Sequence, residues 1–542
     1  MRILVTGAAS RLAGAAIAAL PPGTIIRVLE GDLGGATPPP GCELWPGRIT
    51  DPAAIGRALD GVETLLHLAA IAPLSDAPGA DLPALDDATR GTYILMCGAS
   101  EAGVRRVIVG STLDLFEMLP AHWLVSEHWK PRPQPGLNHL RAWLAELSAR
   151  QASLPGAHAS PERRSATFWQ PPSIICLRFG RVVERADVST ETYDPRWLAV
   201  EDAVQGILCA LRFERPGWSV FHIIAAGPHA RPRLYAAALP EFGYHPVHDF
   251  ADRLNAAQPT PALTRAEYAP IPSRPIHRVV IFGAGGPMGA AAIAELAHAY
   301  TLRLADIRPL VEIAAAGPRA DQGPGAPVPV VPPPPHGCVV CDVTDPAAVM
   351  AACAGMDAVV NCSVVRWNPD LAFGVNTLGV YNIVRACVAH RIRRFVQTGP
   401  QMITLETGVD YTGDFDVADD VPLRPGLELY GHGKYLGQEL GRVYAEAYGL
   451  EMPVLLFNNL RALDITQPAL LDGYCTSWGD AARAIRSALE VSALPSPYEV
   501  FNINASLPHG EVPNTKARRI LGWTPQDDLS EFWSEPLAGS SG

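Results

Sequence analysis

The chain has 542 residues, of which 48% are hydrophobic and 18% charged, and its formal net charge at pH 7 is −12. This length exceeds one ordinary hydrophobic core, so two or more domains are expected, and the acidic balance disfavours a nucleic-acid-binding protein. The first residues, MRILVTGAAS, run directly into a strand-and-turn pattern without a signal peptide, and no apolar run reaches membrane-spanning length. These features predict a soluble, cytoplasmic protein without nucleic-acid or membrane partners.

The ten cysteines fit a reducing compartment, because most of them lie inside apolar segments. Cys338 and Cys341 have the CxxC spacing of metal and redox pairs. However, the segment CVVCDVTD has the pattern of a strand, no second pair follows, and no helix begins there to lower the pKa of a thiol. We therefore expect no metal site.

The predicted elements begin with a strand, a turn and a helix, and this unit occurs twice. Residues 2–20 (RILVTGAASRLAGAAIAAL) and 278–296 (RVVIFGAGGPMGAAAIAEL) align without a gap at an offset of 276 positions. Residues 48–70 match 342–364 at an offset of 294, and the difference is a proline-rich insertion in the second copy, predicted to be a solvated loop. Self-similarity over this length indicates a tandem duplication.

Within each copy, short β-branched runs alternate with stretches rich in alanine and leucine. Nearly continuous apolar strands between helices are typical of a parallel sheet covered on both faces. The predicted fold class is therefore α/β, with two tandem doubly wound (Rossmann) parallel-sheet domains. The first domain is predicted at 1–255, a linker rich in proline and alanine at 256–276, and the second domain at 277–542.

The second copy carries an intact glycine-rich turn, FGAGGPMG (282–289), between a predicted strand and a predicted helix. Gly283, Gly286 and Gly289 permit a tight turn and close approach of the backbone to a pyrophosphate, which the helix N-terminus attracts. Asp306, at the end of the next strand, would accept hydrogen bonds from ribose hydroxyls and would repel a 2′-phosphate. The pattern therefore favours NAD over NADP.

The GxxGxxG spacing of this turn resembles the extended short-chain dehydrogenase/reductase family, which includes the NAD-dependent sugar epimerases and dehydratases. The resemblance spans nearly all of 277–535 and, more faintly, 1–250. Four further stretches carry it: DVTD (342–345), the N-x-x-G-x-x-N helix GVNTLGVYNIVRAC (374–387), the YxxxK helix LYGHGKYLGQE (429–439) and the carboxy-terminal TKARRILGWTP (515–525).

The resemblance implies a cofactor site built from the glycine turn, the ends of the next strands and the lysine of the YxxxK helix. In this family an aspartate at the position of Asp342 binds the adenine amino group. The predicted cofactor-binding residues are Gly283, Gly286, Pro287, Met288, Gly289, Asp306, Asp342, Val343, Asn361, Cys362, Ser363 and Lys434.

Tyr430 and Lys434 form the predicted catalytic pair, since residues four apart share one face of a helix. A phenol titrates near pH ~10, and an adjacent ammonium lowers that pKa. The phenolate can then take a hydroxyl proton while a hydride leaves to the nicotinamide. The family adds a serine or threonine after the fifth strand, where this chain has Pro400. Thr398, the nearest hydroxyl, is the predicted third catalytic residue.

The first copy departs further from the pattern. Ser10 and Ala13 replace two of the turn glycines, and Arg48 stands where the second copy has its adenine-binding aspartate. The helix that matches the YxxxK helix has no tyrosine and places Arg141 at the lysine position, although Thr112 does occupy the hydroxyl position. We predict a decayed copy retained as a structural partner, and one tightly bound NAD per chain.

The substrate pocket is predicted to be small. Both copies have a short segment after the sixth strand, where nucleotide-sugar epimerases carry a longer one, so the chain looks more like the uronate-dehydrogenase branch. That branch implies a small hydroxylated, sugar-like substrate. The candidate pocket residues are Asn458, Asn459, Ser363 and Arg366, while the family's arginine after the sixth strand is Arg178 in the first copy and Phe457 in the second.

The leading hypothesis is an NAD-dependent oxidoreductase or epimerase with its chemistry in the C-terminal half. One alternative is a catalytically inactive NAD(P)-binding sensor or scaffold, which Pro400 and Phe457 favour. A second alternative is a nucleotide-sugar epimerase or dehydratase.

The two halves are predicted to pair with each other. Single-unit relatives dimerise through the helices that here span 85–103 and 136–150 in the first copy, and 372–390 and 429–449 in the second. These helices carry apolar residues off their sheet-facing sides, and an apolar patch needs a partner. A tandem chain supplies one at high effective concentration, so we expect an intramolecular pseudo-dimer that is monomeric or only weakly self-associating.

Overall fold

The computed structural model of the chain divides into two compact units, Met1–Glu267 and Tyr268–Gly542. Residue 268 therefore already belongs to the second unit, where the Tyr268 ring lies 4.8 Å from that of Tyr448. Residues 256–267 of the predicted linker lie outside the described residues. The structure describes all positions except 34, 75–78, 121–122, 155–171, 189–192, 228–229, 231–232, 235–238, 254–267, 319–321, 323–324, 405–417, 464–474, 507–511 and 530–542.

The first unit is built on a seven-stranded parallel sheet with the order β7-β6-β5-β4-β1-β2-β3. The strands of this sheet are β1 (Arg2–Thr6), β2 (Ile25–Leu29), β3 (Cys42–Trp45), β4 (Thr64–His67), β5 (Arg106–Thr112), β6 (Ser173–Phe179) and β7 (Gly217–Ile223). Its helices are α1 (Arg11–Ala18), α2 (Pro52–Leu59), α3 (Asp81–Asp86), α4 (Thr92–Ala102), α5 (Leu137–Ala152), α6 (Val200–Ala210) and α7 (Leu239–Phe242), with a π-helical turn at Asp87–Gly91.

The second unit repeats this sheet with the order β10-β9-β8-β11-β12-β13-β14. The strands of this second sheet are β8 (Arg278–Phe282), β9 (Thr301–Asp306), β10 (Gly337–Val340), β11 (Ala358–Asn361), β12 (Arg394–Pro400), β13 (Met452–Phe457) and β14 (Tyr498–Asn502). Its helices are α8 (Pro287–Leu296), α9 (Leu310–Ala316), α10 (Pro346–Cys353), α11 (Pro369–Phe373), α12 (Gly379–Ala389), α13 (Leu429–Tyr448), α14 (Trp478–Glu490) and α15 (Thr515–Leu521), with a π-helical turn at Gly374–Leu378.

Both sheets have the strand order 3-2-1-4-5-6-7, so the predicted doubly wound α/β fold is confirmed for each unit. The central strands are apolar and buried along almost their whole length, as in Val279–Phe282 and Ala358–Asn361, because helices cover both faces of a parallel sheet. Strand order reverses between β8 and β11, and ligands of such sheets bind at the carboxyl ends of the strands beside that reversal.

Strand β12 ends at Pro400 and continues as a 3₁₀ turn, Gln401–Thr404, since proline cannot donate to a further strand pair. One prediction from the sequence differs from the structure. Residues Pro369–Ala389 form a helical stretch that is long and apolar enough to cross a membrane, although no run of that length was expected from the sequence. Its most apolar window is 67% buried inside the protein, and buried core helices of soluble proteins pass the same test.

The CxxC pair lies at the sheet edge. Cys338, on the edge strand β10, is exposed, whereas Cys341 is buried. Within the described part of the chain, no three histidine, cysteine or acidic side chains form a group that could hold a metal ion.

Candidate active site

The glycine turn between β8 and α8 is shaped by backbone crowding. Gly283 has a φ of +72°, and a Cβ atom there would lie 2.7 Å from the Ser363 nitrogen. A Cβ atom at Gly289 would overlap the Gly283 oxygen. Gly286 differs, because its backbone is extended and the nearest atom to a Cβ there would be the Gly283 oxygen at 3.5 Å. Gly283 and Gly289 are thus required by the turn itself, whereas Gly286 leaves space open above it.

The N-terminus of α8 is free of side-chain caps. Gly286 is the N-cap residue and Pro287 the first helical residue, and no side chain caps the N–H groups of the first turn. Such a terminus attracts an anion through its open N–H groups and the helix dipole. Met288 and Gly289 lie in this first turn, so the turn that the sequence predicts to hold a pyrophosphate has no side-chain cap.

Asp306 closes the turn from the end of β9. Its Oδ2 atom accepts a hydrogen bond from the Gly285 N–H at 2.8 Å, and its Oδ1 accepts one from the Ile307 N–H at 2.8 Å. The carboxylate therefore binds the glycine turn to the end of β9. The sequence predicts that this carboxylate binds the adenosine ribose.

The segment after β10 is held in a fixed shape. One carboxylate oxygen of Asp342 accepts hydrogen bonds from the N–H and the hydroxyl of Thr344, at 2.9 and 2.8 Å. The side-chain amide of Asn382 donates to the Val343 oxygen at 2.9 Å. Asn382 is the last residue of the N-x-x-G-x-x-N helix motif, so one role of that motif is to hold the predicted adenine-binding segment.

The end of β11 is fixed by buried amides and hydroxyls. Asn361 is 1% exposed; its side chain donates to Gln397 at 3.0 Å and accepts from the Ser363 N–H at 3.1 Å. The Cys362 N–H donates to the Phe282 oxygen at 2.9 Å. Thr398, buried on β12, donates its hydroxyl to the Asn361 main-chain oxygen at 2.9 Å. The structure thus gives the Thr398 hydroxyl a partner inside the sheet.

The YxxxK helix α13 starts at a carboxylate. Glu428 is its N-cap residue and accepts the N–H groups of Tyr430 and Gly431 at 3.0 and 2.6 Å. Lys434, one turn further, is 2% exposed and donates its ammonium to the Ser363 oxygen at 2.7 Å. Burial lowers the pKa of Lys434 to about 7. The structure therefore brings Lys434 onto the turn that follows β11.

Tyr430 is half-buried and faces a different cation. The Arg366 guanidinium carbon lies 5.0 Å from the centre of the Tyr430 ring. Burial raises the pKa of Tyr430, and Arg366 acts in the opposite direction. Sequence reasoning paired the phenol with Lys434 and placed Arg366 only in the pocket, because no spacing rule connects a loop after β11 with a helix start so far along the chain.

Asn376 is a site residue whose role the sequence did not reveal. It is 1% exposed and its side chain binds both main-chain groups of Val365, accepting from the N–H at 3.3 Å and donating to the oxygen at 2.6 Å. The loop that carries Arg366 therefore has a fixed starting point. The N-x-x-G-x-x-N motif was the available signal, since Asn376 is its first residue.

The pocket candidates after β13 are only partly within the described residues. Phe457 is buried, and Asn458 and Asn459 are half-buried. Asn459 has a φ of +31°, in the region that non-glycine residues seldom adopt. Residues 464–474, which complete this segment, lie outside the described residues.

In the first unit the matching helix terminus is closed by its own side chain. Ser10, the N-cap residue of α1, accepts the Ala13 N–H on its hydroxyl at 3.2 Å. Gly7 keeps the left-handed conformation of Gly283, with a φ of +71°. Arg48, in place of the adenine-binding aspartate, forms an ion pair with Asp87 at 3.5 Å. The terminus that would receive a pyrophosphate is therefore already capped.

The first unit has a cation, Arg141, at the position that matches Lys434. Arg141 donates to the Ala69 oxygen at 2.6 Å and to the Ala72 oxygen at 3.0 Å. Ala69 aligns with Ser363. The Arg141 guanidinium therefore makes the same main-chain contact in the first unit as the Lys434 ammonium makes in the second. The hydroxyl of Thr112 accepts the Asp114 N–H at 3.1 Å and caps a 3₁₀ turn.

Arg178, the family arginine retained in the first unit, is buried in a polar network. Its guanidinium is paired with the Glu146 carboxylate, and the Ser111 hydroxyl donates to the same carboxylate at 2.9 Å. The His222 Nε2 atom lies 3.3 Å from the guanidinium. This arginine is thus part of the interior of the unit.

Comparison with known proteins identifies the family. Residues 279–462 match the NAD dependent epimerase/dehydratase family. A uronate dehydrogenase of Agrobacterium fabrum (strain C58) is 33% identical over 198 residues, which are 36% of this chain and 71% of that protein. The chain belongs to the NAD-dependent epimerase/dehydratase family. The resemblance seen in the sequence is thereby confirmed, and the two sheets fit a tandem duplication of one family unit.

Two further uronate dehydrogenases are similar to this chain. A uronate dehydrogenase of Pseudomonas putida (strain KT2440) is 27% identical over 222 residues, 40% of this chain and 72% of that protein. The crystal structure of uronate dehydrogenase from Agrobacterium tumefaciens is 25% identical and covers 49% of this chain and 92% of its own, with a TM-score of 0.39.

Proposed function

We propose that the protein is an NAD-dependent oxidoreductase or epimerase that transfers a hydride to or from a small hydroxylated, sugar-like substrate, with its chemistry in the second unit. The observation that carries this proposal is the uncapped glycine turn of α8 in the same unit as the Tyr430 helix. The first unit lacks both features. The uronate dehydrogenases among the relatives support a sugar-like substrate.

The second unit fits NAD by the shape of its turn. Gly283 and Gly289 have no room for a side chain, Gly286 leaves the turn open, and the helix terminus carries unsatisfied N–H groups. These residues, with Pro287 and Met288, would hold the pyrophosphate, Asp306 the adenosine ribose, and Asp342 and Val343 the adenine. Bound NAD supplies the acceptor or donor of the hydride.

The proton of the substrate hydroxyl goes to Tyr430. In the oxidation direction the phenolate oxygen accepts this proton, and the hydroxyl carbon becomes a carbonyl as its hydride departs. Lys434 donates to the Ser363 oxygen and so holds the turn that follows β11. Because burial raises the pKa of Tyr430, we expect oxidation to accelerate as the pH rises through the alkaline range.

A Tyr430→Phe substitution tests this mechanism, since it removes one hydroxyl and keeps the ring. Turnover should vanish while NAD affinity stays the same, because the glycine turn is untouched. Turnover is followed as absorbance of reduced nicotinamide with a panel of sugars, uronates and aldehydes, and NAD binding by calorimetry. A Tyr430→Phe protein that still turns over would contradict the mechanism.

Thr398 can be tested separately. Its hydroxyl donates to Asn361 inside the sheet, so Thr398→Val should lower stability by about 1 kcal/mol, the usual net value of such a bond. If Thr398 also polarises the substrate, kcat of the Thr398→Val protein should fall even at temperatures at which the protein is fully folded.

A catalytically inactive NAD(P)-binding sensor is the second candidate. The observations that favour it are Pro400 at the family's hydroxyl position and the engagement of the Thr398 hydroxyl by Asn361. Tight NAD binding together with no turnover on the whole substrate panel would support the sensor.

A further inference from the structure

Strand β10 is one of the four outermost strands of the two sheets, together with β3, β7 and β14. Every residue of β10 is exposed, whereas every residue of β7 and β14 is half-buried or buried. The strand carries no charge, and Val340 at its end is 61% exposed. An open apolar edge strand is a template for pairing with a further strand.

The outer side of β10 presents a short row of main-chain groups. On its inner side β10 runs parallel to β9, with Ala305 opposite Val339, and the Cys341 N–H continues this ladder by donating to the Asp306 oxygen at 2.8 Å. Main-chain groups alternate in direction from residue to residue along a strand. The N–H and carbonyl groups of Cys338 and Val340 therefore point away from β9, and the described part of the chain gives them no partner there.

This row has defined ends. Residues 332–335 are four consecutive prolines, which cannot donate to a strand pair. The His336 N–H donates to the Pro333 oxygen at 3.4 Å, and the Asp342 oxygen accepts the Asp345 N–H at 3.0 Å. A further strand can therefore pair with the segment from Cys338 to Val340 and hardly beyond it.

An apolar groove lies beside the strand. It has a volume of about 240 Å³ and is lined by β10, by Val331 and by Pro309, Leu310 and Val311 at the start of α9. Val311 is 65% exposed and Val331 is 42% exposed. Exposed apolar side chains that lie together are typical of an interaction surface.

The matching edge strand of the first unit, β3, carries a charge instead. The Glu43 carboxylate lies 3.5 Å from the Arg27 guanidinium, and the guanidinium carbon is 4.4 Å from the centre of the Trp45 ring. A charged side chain on an edge strand opposes pairing with another strand. Of these two matching edges, only that of the second unit is uncharged. Association through one edge per chain closes as a two-fold dimer and does not continue into a filament.

We propose that β10 pairs antiparallel with β10 of a second copy of this chain, about a two-fold axis at Val339. Cys338 of one copy then lies opposite Val340 of the other, and this register uses every outward N–H and carbonyl group of the row. Asp342 faces His336 of the second copy, so no like charges meet at the ends of the ladder. The two apolar grooves come together across the axis.

A second copy fits this edge because the edge is complementary to itself in hydrogen bonding, apolarity and charge. Four residues make a short strand, so the dimer should be weak and reversible. The inference goes beyond the proposed function and does not depend on it, since β10 holds none of the residues assigned to NAD or to catalysis.

Sedimentation equilibrium of the full chain tests the proposal. From about 1 µM to about 1 mM, the range of weak association, the mean mass should rise from that of one chain towards that of two. Val339→Lys places a charge on the two-fold axis, and Val340→Pro removes one outward N–H while sparing the ladder to β9. Both variants should weaken association at least about 10-fold, which is about 1.4 kcal/mol, at the parent's melting temperature. Leu44→Lys, on β3, is the matched control and should associate as the parent does.

Cross-linking tests the register. Residues opposite each other at a non-hydrogen-bonded position have Cα atoms about 4.5 Å apart, within the range of a disulfide. Val339→Cys in a Cys338→Ser background should therefore form a disulfide-linked dimer under a mild oxidant, and Cys338→Ser alone should not. A chain that stays monomeric throughout would overturn the proposal and leave this edge to a strand of another protein. An association that Val339→Lys and Val340→Pro leave unchanged, or one without the Val339→Cys cross-link, would overturn it as well.

Discussion

Replacing Gly286 by serine should convert the open helix terminus of the second unit into the self-capped terminus of the first. In the first unit the Ser10 hydroxyl accepts the Ala13 N–H at 3.2 Å. The matching acceptor at position 286 would take the N–H of Gly289. The substitution is sterically allowed, because a Cβ atom there would be 3.5 Å from its nearest neighbour and the backbone is extended.

Stability and affinity should then change in opposite directions. A serine N-cap stabilises a helix by about 1 kcal/mol relative to a residue without a cap, and a few tenths relative to glycine. A hydrogen bond to a charged group contributes about 1.5–3 kcal/mol. Loss of one N–H to the new cap should therefore raise the dissociation constant for NAD about 10- to 150-fold, while the melting temperature of the NAD-free protein stays level or rises slightly.

Calorimetry with NAD and thermal unfolding of the full chain give the two quantities. Gly286→Ala is the matched control, since it adds the Cβ atom without the hydroxyl and isolates crowding of the pyrophosphate. Gly289→Ala is the opposite control: its Cβ would overlap the Gly283 oxygen, so it should lose both stability and affinity. If Gly286→Ser binds NAD as tightly as the parent, the open terminus is not the pyrophosphate site.

Four further predictions follow from the two units. Calorimetry should find one tightly bound NAD per chain. Two equivalent sites would contradict the inference that the Ser10 cap prevents NAD from binding to the first unit. Burial lowers the pKa of Lys434 to about 7, so between about pH 7 and 10 the unfolded state binds more protons than the folded state. The free energy of unfolding in urea should therefore rise with pH through that window in the parent, relative to Lys434→Met. Burial likewise lowers the pKa of His67 to about 4, so stability should fall from about pH 6.5 to pH 4, and less so in His67→Asn, which carries the second unit's residue. Residues 277–542 expressed alone should be insoluble or form homodimers on size exclusion; a soluble, fully active monomer would show that the first unit is not its structural partner.

Sequence patterns predicted the parts of this protein that depend on local spacing. The glycine turn, the aspartate at the end of the next strand and the YxxxK helix each combine backbone geometry with a fixed interval. The paired strand-and-helix repeats likewise predicted two parallel sheets. Even the self-cap of Ser10 follows a local rule, since serine three residues before a helical N–H is a preferred N-cap.

Rules of local spacing do not predict contacts between segments that are far apart in the sequence. The approach of Arg366 to Tyr430 depends on the length of the loop after β11 and on the clamp of Asn376, and neither is visible as a period in the sequence. The burial of the Thr398 hydroxyl against Asn361 depends on strand register, because one residue along β12 would change the face it occupies. Membrane-like hydropathy of Pro369–Ala389 was missed because polar residues interrupt the apolar run, while the helix as a whole stays apolar.

In both units a basic side chain donates to a main-chain oxygen in the turn after the fourth strand of the sheet. This common contact bears on how inactive members of the family are recognised from their sequences. Arg141 binds the Ala69 oxygen as Lys434 binds the Ser363 oxygen, although the helix that carries Arg141 has no tyrosine. A basic side chain at this position can therefore be maintained by selection for folding alone. Its presence in a divergent copy says little about whether that copy still turns over a substrate, and loss of the tyrosine is the more informative sign of a pseudoenzyme.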